Sequence, residues 1–560
     1  MSLNALPLTV HADDAEVRRP LPMLDSKYMP ARQQKRSHPS MRHNQPKRPG
    51  RAIASPPPKT SRRNALAAVA AIFAAYAAML LYAHGRTPPG LNNDVAEEAL
   101  RGIYLVGGHH FEVLTVAVGN SAETLYLYLV GGMIQLLGRT MLPIQLVSWI
   151  FALACIWLVW KLAERLTDTV PAWVPVLASA SSIWLFHYAM AGLRAIAAPV
   201  FLCLFALLLD RVECGADRRI ALLCGAVLGL SIYTYTSARV LPIAFVLYAA
   251  FRLSRKWGER TALLRRYGAI LAGAFVVSIP NLVFFLQRPG DFLFRGSYVL
   301  LGTGGDRVVN MIRTAFMPFY YPDSYRLSRG RSFDFDGVSG ALTLSGFHPV
   351  HPVLAIALIV GLIQIKRWIE QPVVTYLVAV WLTAVLTLGF AGPSLTRLLI
   401  LLPVFLVLAA LGIGFVLVKR AALWIPVLLL LLFAGIRDTY QYTSGAGQDS
   451  PEYSYYFNPA ATAIGETAHT LGSQGKRVLS VVSRDANVVK YLTSDQGARQ
   501  RIAEFYERPL DPAQLPLDEF RPDLLIVEDT PAFQPFTSRL PPELVLARTA
   551  HYYEVRSSWR

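Results

Sequence analysis

The stretch LLILLPVFLVLAALGIGFVLV, residues 398–418, decides the class of fold. It holds 21 residues without a charge, and a helix of about 20 apolar residues is long enough to cross the hydrocarbon core of a bilayer. Arg397 precedes the run, and Lys419 and Arg420 follow it. The stretch therefore predicts a transmembrane helix.

Working outward from this run, the chain contains ten more apolar segments, some of them shorter. They centre on 66–83, 141–160, 172–189, 195–210, 220–236, 239–251, 268–286, 351–365, 373–390 and 421–436. Only 16% of the 560 residues are charged, against about a quarter in a typical soluble protein. The sequence predicts an all-α polytopic membrane protein with about eleven transmembrane helices.

The distribution of basic residues predicts the orientation of these helices. Residues 1–63 carry thirteen Lys and Arg and no apolar periodicity, which is typical of a disordered tail held in the cytosol. The loops that this orientation assigns to the cytosol are all basic, with Lys161, Arg165, Arg211, Arg218, Arg219, Arg252, Arg255, Lys256, Arg260, Arg265, Arg266, Lys366, Arg367, Lys419 and Arg420. An N-terminus inside and an odd number of helices place the C-terminus outside.

Three regions follow from this topology. Residues 1–63 form the cytosolic tail, residues 64–436 the transmembrane domain and residues 437–560 a small extracytoplasmic α/β domain. The transmembrane domain has two long external loops, 84–140 and 287–350, and long loops at membrane level usually carry function. The last region is predicted to have a helix near 459–472 and strands at 477–483, 523–529 and 551–556.

Acidic and basic side chains gather on the predicted outer face. The acidic residues are Asp94, Glu97, Glu98 and Glu123, and the basic ones are Arg194, Arg239 and Arg397. The external segments contain arginine but no lysine before residue 437, and Arg is the side chain that binds phosphate or carboxylate in a bidentate manner. Three such residues at helix ends predict a cavity for a lipid-linked phosphate, although snorkelling to headgroups or structural pairing is the alternative for each.

Each remaining candidate also has a structural explanation. NNDVAEEALRGIYL, from residue 92, is typical of a capped amphipathic helix, so Asp94 could be a solvated carboxylate at a helix start, and Glu97 and Glu98 fit that description better. Tyr235 in YTYTSAR could bind substrate or belong to an interfacial aromatic belt. Asp334 and Asp336 in SFDFDG have a spacing that can hold a divalent metal, a match that is frequent by chance.

Five stretches together resemble the GT-C superfamily of membrane glycosyltransferases, and specifically the bacterial branch similar to protein O-mannosyltransferases and the lipid A aminoarabinose transferase. They are PPGLNNDVAEEAL, NSAETLYLYLVGGMIQLLG, HYAMAGLRAIAAPVF, GLSIYTYTSARVLPI and GPSLTRLLILLP, in that order over roughly residues 85–410. The resemblance implies an inverting transferase that takes a monosaccharide from a polyprenyl-phosphate donor. It implies that Asp94 is the catalytic base. Glu123, which corresponds to the acidic residue before the second helix, is then predicted to position the substrate or to tune Asp94.

The predicted function is sugar transfer to a hydroxyl acceptor at the outer face of a bacterial plasma membrane. Arg194, Arg239, Arg397 and Tyr235 are then the donor-binding candidates, and the lipid-linked sugar takes the place of any other cofactor. The acceptor could be a lipid, a polysaccharide or a protein. Membrane lipids are further partners, whereas the basic tail lacks the interleaved aromatic residues of a nucleic-acid site.

Two other classes of function remain open from the sequence. A transporter or flippase of a lipid-linked sugar would also gather polar residues along a membrane path, but it predicts internal repeats and charges in the middle of helices. A non-catalytic envelope scaffold is the second alternative. It rests on Val95 and Ala122, which stand where related sequences commonly carry Glu and Arg.

Overall fold

The computed structural model describes residues 62–108, 112–117, 120–290, 307–316, 318–319, 350–390, 394–444, 457–505 and 508–556. All of these lie in one compact unit, Pro56–Arg560. Two predicted regions lie largely outside the described residues: the tail, up to residue 61, and most of the loop 287–350, which includes Asp334 and Asp336.

Helices dominate the region that the sequence assigned to the membrane. The helices are α1 Arg62–Ala83, α2 Asn93–Gly107, α3 Leu125–Leu137, α4 Met141–Leu166, α5 Trp173–Ala180, α6 Ile183–Ala191, α7 Ala197–Glu213, α8 Arg218–Ser231, α9 Val240–Arg255, α10 Arg260–Gln287, α11 Arg307–Phe316, α12 Pro352–Ile363, α13 Pro372–Phe390, α14 Leu395–Leu398, α15 Leu402–Lys419 and α16 Trp424–Thr443. Short 3₁₀ turns at Arg194–Ile196, Thr236–Arg239 and Leu399–Leu401 precede α7, α9 and α15. A small antiparallel hairpin, β1 Leu114–Ala117 and β2 Asn120–Glu123, lies between α2 and α3.

Each of the eleven predicted apolar runs coincides with a helix or with the bent pair α5 and α6. In the part of the chain that the structure describes, eight helices are long and apolar enough to cross a membrane, or nine if the bent pair is one span. The chain is thus a multi-pass membrane protein, while the number of eleven crossings and their orientation remain predictions. The α3 helix is an apolar element of 13 residues within the predicted external loop 84–140, a loop that contains none of the eleven predicted apolar segments.

The apolar run 398–418 lies at the centre of the helix bundle. In the span Leu395–Lys419, 89% of the most apolar stretch is buried inside the protein. The corresponding share is 17% in Arg63–Ala83 and 22% in Ala421–Thr443. A helix that is apolar on every side has no face that requires water, so other helices can surround it. The peripheral spans leave their apolar sides for lipid.

The predicted span 172–189 is bent by 55° where α5 meets α6. Ser181 donates its hydroxyl to the carbonyl oxygens of Leu177 and Leu431, at 2.7 and 3.0 Å. Ser182 accepts from the backbone N–H of Leu185 and so caps the second helix. The two serines replace part of the helical hydrogen bonding and let the chain change direction between helices.

A buried ion-pair cluster ties together α7, α9 and α10. The carboxylate of Glu213 accepts from Arg252 at 2.9 Å, from Tyr248 at 2.7 Å and from the hydroxyl of Tyr267. The side chains of Glu213 and Arg252 are only 4% and 8% exposed. A buried pair is strongly destabilised when one partner is removed, since the other charge is left desolvated without compensation.

We therefore expect Glu213→Gln to lower the free energy of unfolding by about 3–5 kcal/mol, measured by thermal unfolding in detergent. Glu164→Gln is the matched control, because Glu164 pairs with Lys161 at 2.9 Å while both side chains are more than a third exposed. The control should change stability by less than about 1 kcal/mol. Equal effects of the two substitutions would contradict the role of the cluster.

The C-terminal residues form the predicted α/β fold. Its elements are α17 Pro459–Ser473, β3 Val478–Val482, α18 Ala486–Thr493, β4 Gln500–Glu504, α19 Leu517–Phe520, β5 Leu524–Glu528, α20 Gln534–Thr537, β6 Val545–Arg548 and β7 Tyr552–Arg556. The predicted helix and all three predicted strands are confirmed. The five-stranded sheet has the order β4-β3-β5-β7-β6, with β3 parallel to both β4 and β5, and with β7 antiparallel to both β5 and β6.

Candidate active site

The helix α2 carries the acidic residues of the first loop. Asn92 caps it, because its side-chain oxygen accepts from the backbone N–H of Asp94 at 2.8 Å and of Val95 at 3.4 Å. The predicted capped helix is thereby confirmed. Asp94 and Glu98 are four residues apart and share one face of the helix, as this spacing requires.

Close packing of α2 on α3 brings this face towards Glu123, which ends β2 just before α3. Gly102 and Gly131 face each other, and a Cβ atom added to Gly131 would lie 2.1 Å from the Gly102 carbonyl oxygen. Only glycine allows two backbones to approach this closely. The contact sets the distance between the acidic face of α2 and the end of the hairpin.

The three predicted arginines lie at the beginnings of long helices. Arg194 opens the 3₁₀ turn before α7, Arg239 ends the turn before α9, and Arg397 lies in α14, just before α15. Gly192 makes the reversal after α6 with a left-handed φ of 79°, a backbone conformation that favours glycine. Helix beginnings carry partial positive charge, so guanidinium groups there create a region that attracts anions and that also requires carboxylates nearby.

Two of these arginines share the carboxylates. Arg194 pairs with Glu98 at 3.0 Å and lies 3.7 Å from Glu123, and Arg239 pairs with the other oxygen of Glu123 at 3.3 Å. Thr236 donates its hydroxyl to the same Glu123 oxygen at 2.8 Å. The structure thus brings together residues from α2, β2 and the turns before α7 and α9.

Burial separates the roles that these residues can have. The side chains of Arg194 and Glu123 are each 3% exposed and that of Glu98 is 12% exposed, whereas Arg239 is 31% exposed. The buried members hold one another in place, because each would be costly to desolvate alone. Arg239 is the more exposed of the two paired arginines, so a ligand can reach its guanidinium more directly.

Tyr235 and Arg397 lie beside this cluster. The Arg194 guanidinium stands 5.5 Å from the centre of the Tyr235 ring, in the range of a cation–π interaction, and Tyr235 is buried. Its position therefore differs from the interfacial belt that was the alternative for this residue. Arg397 is half-buried on α14, which contacts the turn Thr236–Arg239.

Asp94 lies at the exposed beginning of α2, one turn before Glu98. Its carboxylate interacts electrostatically with Arg194 and with Asp485 of the C-terminal region. The pKa of Asp485 is raised, mainly because its carboxyl group is buried. The nearby carboxylates of Glu504 and Asp94 also raise it, whereas the hydrogen bond from Asn458 and the charge of Arg484 lower it. Asp94 is therefore exposed to water and within electrostatic range of Arg194.

The expectation that Glu98 is a solvated carboxylate was wrong. Glu97 is partly exposed and pairs with Arg101 one turn later on α2, but Glu98 is nearly buried against Arg194. Composition could not distinguish the two. The spacing of four residues between Asp94 and Glu98 was the signal that could have identified the second acid.

An apolar pocket opens next to the charged cluster. It is lined by Thr124, Leu125, Leu230, Tyr233, Val277 and Pro280, is open on one side and has a volume of about 140 Å³. Thr124 follows Glu123 directly, and the backbone N–H of Leu125 donates to the carbonyl of Tyr233 at 3.1 Å. The cluster of charged side chains and the apolar pocket therefore meet at the start of α3, an arrangement suited to an amphipathic ligand.

The described residues contain no group of three His, Cys, Asp or Glu side chains arranged to hold a metal ion. The weak metal candidates Asp334 and Asp336 fall outside them, so the prediction about a divalent metal is untested.

The helices and the charged cluster at their ends define a multi-pass membrane protein with a candidate site at the beginnings of its helices. A family model described as dolichyl-phosphate-mannose-protein mannosyltransferase matches residues 124–284. The crystal structure of ArnT from Cupriavidus metallidurans bound to undecaprenyl phosphate is similar, with a TM-score of 0.51 and 12% identity over 89% of this chain and 98% of that one. The apo structure of the same ArnT gives a TM-score of 0.52 and 13% identity over 88% and 98%.

No curated protein has a significantly similar sequence. The predicted resemblance to GT-C membrane glycosyltransferases is confirmed by the matched family model and by the shared fold. The matched segment contains Arg194, Tyr235 and Arg239 but begins one residue after Glu123.

Proposed function

We propose that this protein is an inverting glycosyltransferase that moves a monosaccharide from a polyprenyl-phosphate donor to a hydroxyl acceptor. The observation that carries the proposal is the convergence of Arg194 and Arg239 on Glu98 and Glu123. Asp94 lies one turn away on α2, and an apolar pocket adjoins the cluster. The family match and the ArnT-like fold support the same class of reaction.

The donor is amphipathic, and the site is divided accordingly. Its phosphate would lie against Arg239, with Arg397 and the beginnings of α7 and α9 adding positive potential. Its hydrocarbon chain would leave through the pocket between α3, α8 and α10, which presents Leu125, Leu230 and Val277. The solved ArnT structure contains undecaprenyl phosphate, a lipid of this chemical class.

In the proposed reaction the acceptor oxygen attacks the anomeric carbon as the bond between that carbon and the phosphate oxygen breaks. Asp94 takes the proton from the acceptor hydroxyl, a step that a positioned carboxylate can accelerate by about 10²–10⁴-fold. The departing polyprenyl phosphate gains negative charge, which the arginines stabilise in a partly dry cavity. Glu98 and Glu123 hold the two guanidinium groups at the correct spacing.

The reaction is proposed for the outer face of a bacterial plasma membrane. The positive-inside rule places the basic loops in the cytosol and therefore the beginnings of α7 and α9 outside. The Glu213 cluster at the opposite ends of the same helices then faces the cytosol.

A donor labelled in both the sugar and the lipid distinguishes this proposal from a flippase. The labelled donor is added to membranes that contain the protein, with a lipid extract of the same cells as a source of acceptor. The sugar label should move to an acceptor, and the lipid label should remain on free polyprenyl phosphate. Membranes from cells without the gene are the control. Movement of both labels together across the bilayer, without transfer, would instead favour transport of the intact lipid-linked sugar.

A further inference from the structure

The C-terminal α/β region packs against the segment just before α2, the helix that carries Asp94. The backbone N–H of Leu91 donates to the hydroxyl of Thr462 at 2.9 Å, and Asn92 pairs with Phe457 as an isolated antiparallel bridge. Leu91, Asn92, Phe457 and Thr462 are all buried. The contact is therefore a closed interface.

Gly90 shows how tightly the two segments fit. A Cβ atom at this position would lie 2.6 Å from the carbonyl oxygen of Asn458 and 2.8 Å from the hydroxyl of Thr462. The carbonyl oxygen of Asn458 belongs to the backbone, so it cannot move aside as the end of a flexible side chain could. The backbones approach so closely only because residue 90 has no side chain.

The same segment sets the start of α2. Asn92, whose backbone pairs with Phe457, caps the helix by accepting from the backbone N–H of Asp94 and Val95. The position of Asp94 is thus determined two residues away, at a residue held by the C-terminal region. A displacement of Asn92 would move the first turn of α2.

The other side of the interface is rigid. Asn458 caps α17 by accepting from Ala461 at 2.9 Å, and it donates to the carboxylate of Asp485 at 2.9 Å. Thr462 donates to the Asn458 carbonyl at 3.0 Å while it accepts from Leu91. The Thr462 hydroxyl therefore links Leu91 to a helix that is itself fixed.

A second attachment lies at the far end of the loop. The hydroxyl of Tyr491 donates to the carbonyl of Thr140 at 2.8 Å, Arg139 lies 3.5 Å from Asp495, and α18 packs on α2. The C-terminal region thus contacts the segment that carries Asp94, Glu98 and Glu123 both before α2 and after α3.

We propose that the C-terminal α/β region is a positioning element for the catalytic base, acting through the Thr462 hydroxyl and the Phe457 bridge to Asn92. The inference rests on the proposed function, in which Asp94 is that base. Sugar transfer requires the carboxylate to lie within hydrogen-bond reach of the acceptor hydroxyl, and a displacement of about 1 Å can cost about 10²-fold in rate.

The test uses the full-length protein with Thr462→Val, which keeps the side-chain shape and removes the hydroxyl. Thr462→Ser restores the hydroxyl, and Thr467→Val is the matched control, since Thr467 contacts the Tyr552 hydroxyl at 2.7 Å inside the C-terminal region. Three properties are measured: the rate of sugar transfer in membranes, binding of undecaprenyl phosphate as a probe, and hydrogen exchange of residues 93–100.

We expect Thr462→Val to lower the transfer rate by about tenfold or more and to speed exchange at the start of α2, with undecaprenyl phosphate binding unchanged. Thr462→Ser and Thr467→Val should match the parent protein in all three properties. An unchanged rate and exchange in Thr462→Val would overturn the inference, as would equal loss in Thr467→Val or a parallel loss of binding.

Failure of this inference can be distinguished from failure of the proposed function. If Asp94→Asn retains full transfer, the catalytic role of Asp94 is wrong whatever Thr462→Val does. If Asp94→Asn is inactive and Thr462→Val is fully active with unchanged exchange, only the positioning role is wrong.

Discussion

We expect Asp94→Asn to lower the proposed sugar transfer by about 10²–10⁴-fold in rate. The amide has nearly the same shape as the carboxylate but cannot accept the proton that the acceptor hydroxyl loses. Asp94 is exposed at the beginning of α2, and its backbone N–H already forms the cap with Asn92, so the fold should tolerate the change. The measurement is the initial rate of label transfer in membranes that contain equal amounts of folded protein.

Glu97→Gln is the matched control for this prediction. It removes a carboxylate from the same helix, but Glu97 pairs with Arg101 and does not take part in the arginine cluster. Its effect on the rate should be less than about threefold, because a partly exposed pair of this kind contributes little. Full activity of Asp94→Asn would exclude Asp94 as the base.

Arg239→Ala is expected to have the second-largest effect, a loss of about 10²-fold in rate with weaker binding of undecaprenyl phosphate. Arg239 is the most exposed of the two arginines that pair with carboxylates of the cluster. Removal of a donor that stabilises developing charge in a partly dry cavity typically costs about 10²–10³-fold. Arg239→Lys should recover only part of the loss, since an ammonium group cannot form the bidentate contact of a guanidinium.

The control for Arg239 lies on the same helix. Arg255 is at the opposite end of α9, where its guanidinium stands 5.7 Å from the Phe251 ring. Arg255→Ala removes the same charge from the same element without touching the proposed site, and it should leave both the rate and the binding of undecaprenyl phosphate unchanged. Equal losses in the two variants would show that net charge, and not the position of Arg239, controls the reaction.

The site was only partly predictable. Arg194 and Arg239 were predicted from their positions at helix ends. Glu123 was predicted from the outer face and the family resemblance, and Tyr235 from the stretch YTYTSAR; the structure places all four together. Glu98 was missed because burial depends on what packs over a helix face. A carboxylate one turn from Asp94 looks the same in the sequence whether water or Arg194 lies above it.

The fold, like the site, was only partly predictable from the sequence. Long apolar runs predicted the positions of the long helices, and the three predicted strands of the C-terminal region are present in the sheet. The bend between α5 and α6 and the apolar helix α3 were not predicted. The bend depends on hydrogen bonds from Ser181 to Leu177 and to Leu431, and the second partner is 250 residues away.

The sequence by itself determined that this chain is built for a bilayer, where its long apolar segments lie, and which charged side chains lie next to them. These properties are local, because they follow from the hydropathy and capping of consecutive residues. Only the tertiary structure decided that Arg194 meets Glu98 and Glu123, and that the C-terminal region holds the start of α2. Such contacts join residues from 71 to 371 positions apart, and they depend on how closely whole helices pack, which the glycines at 90, 102 and 131 permit.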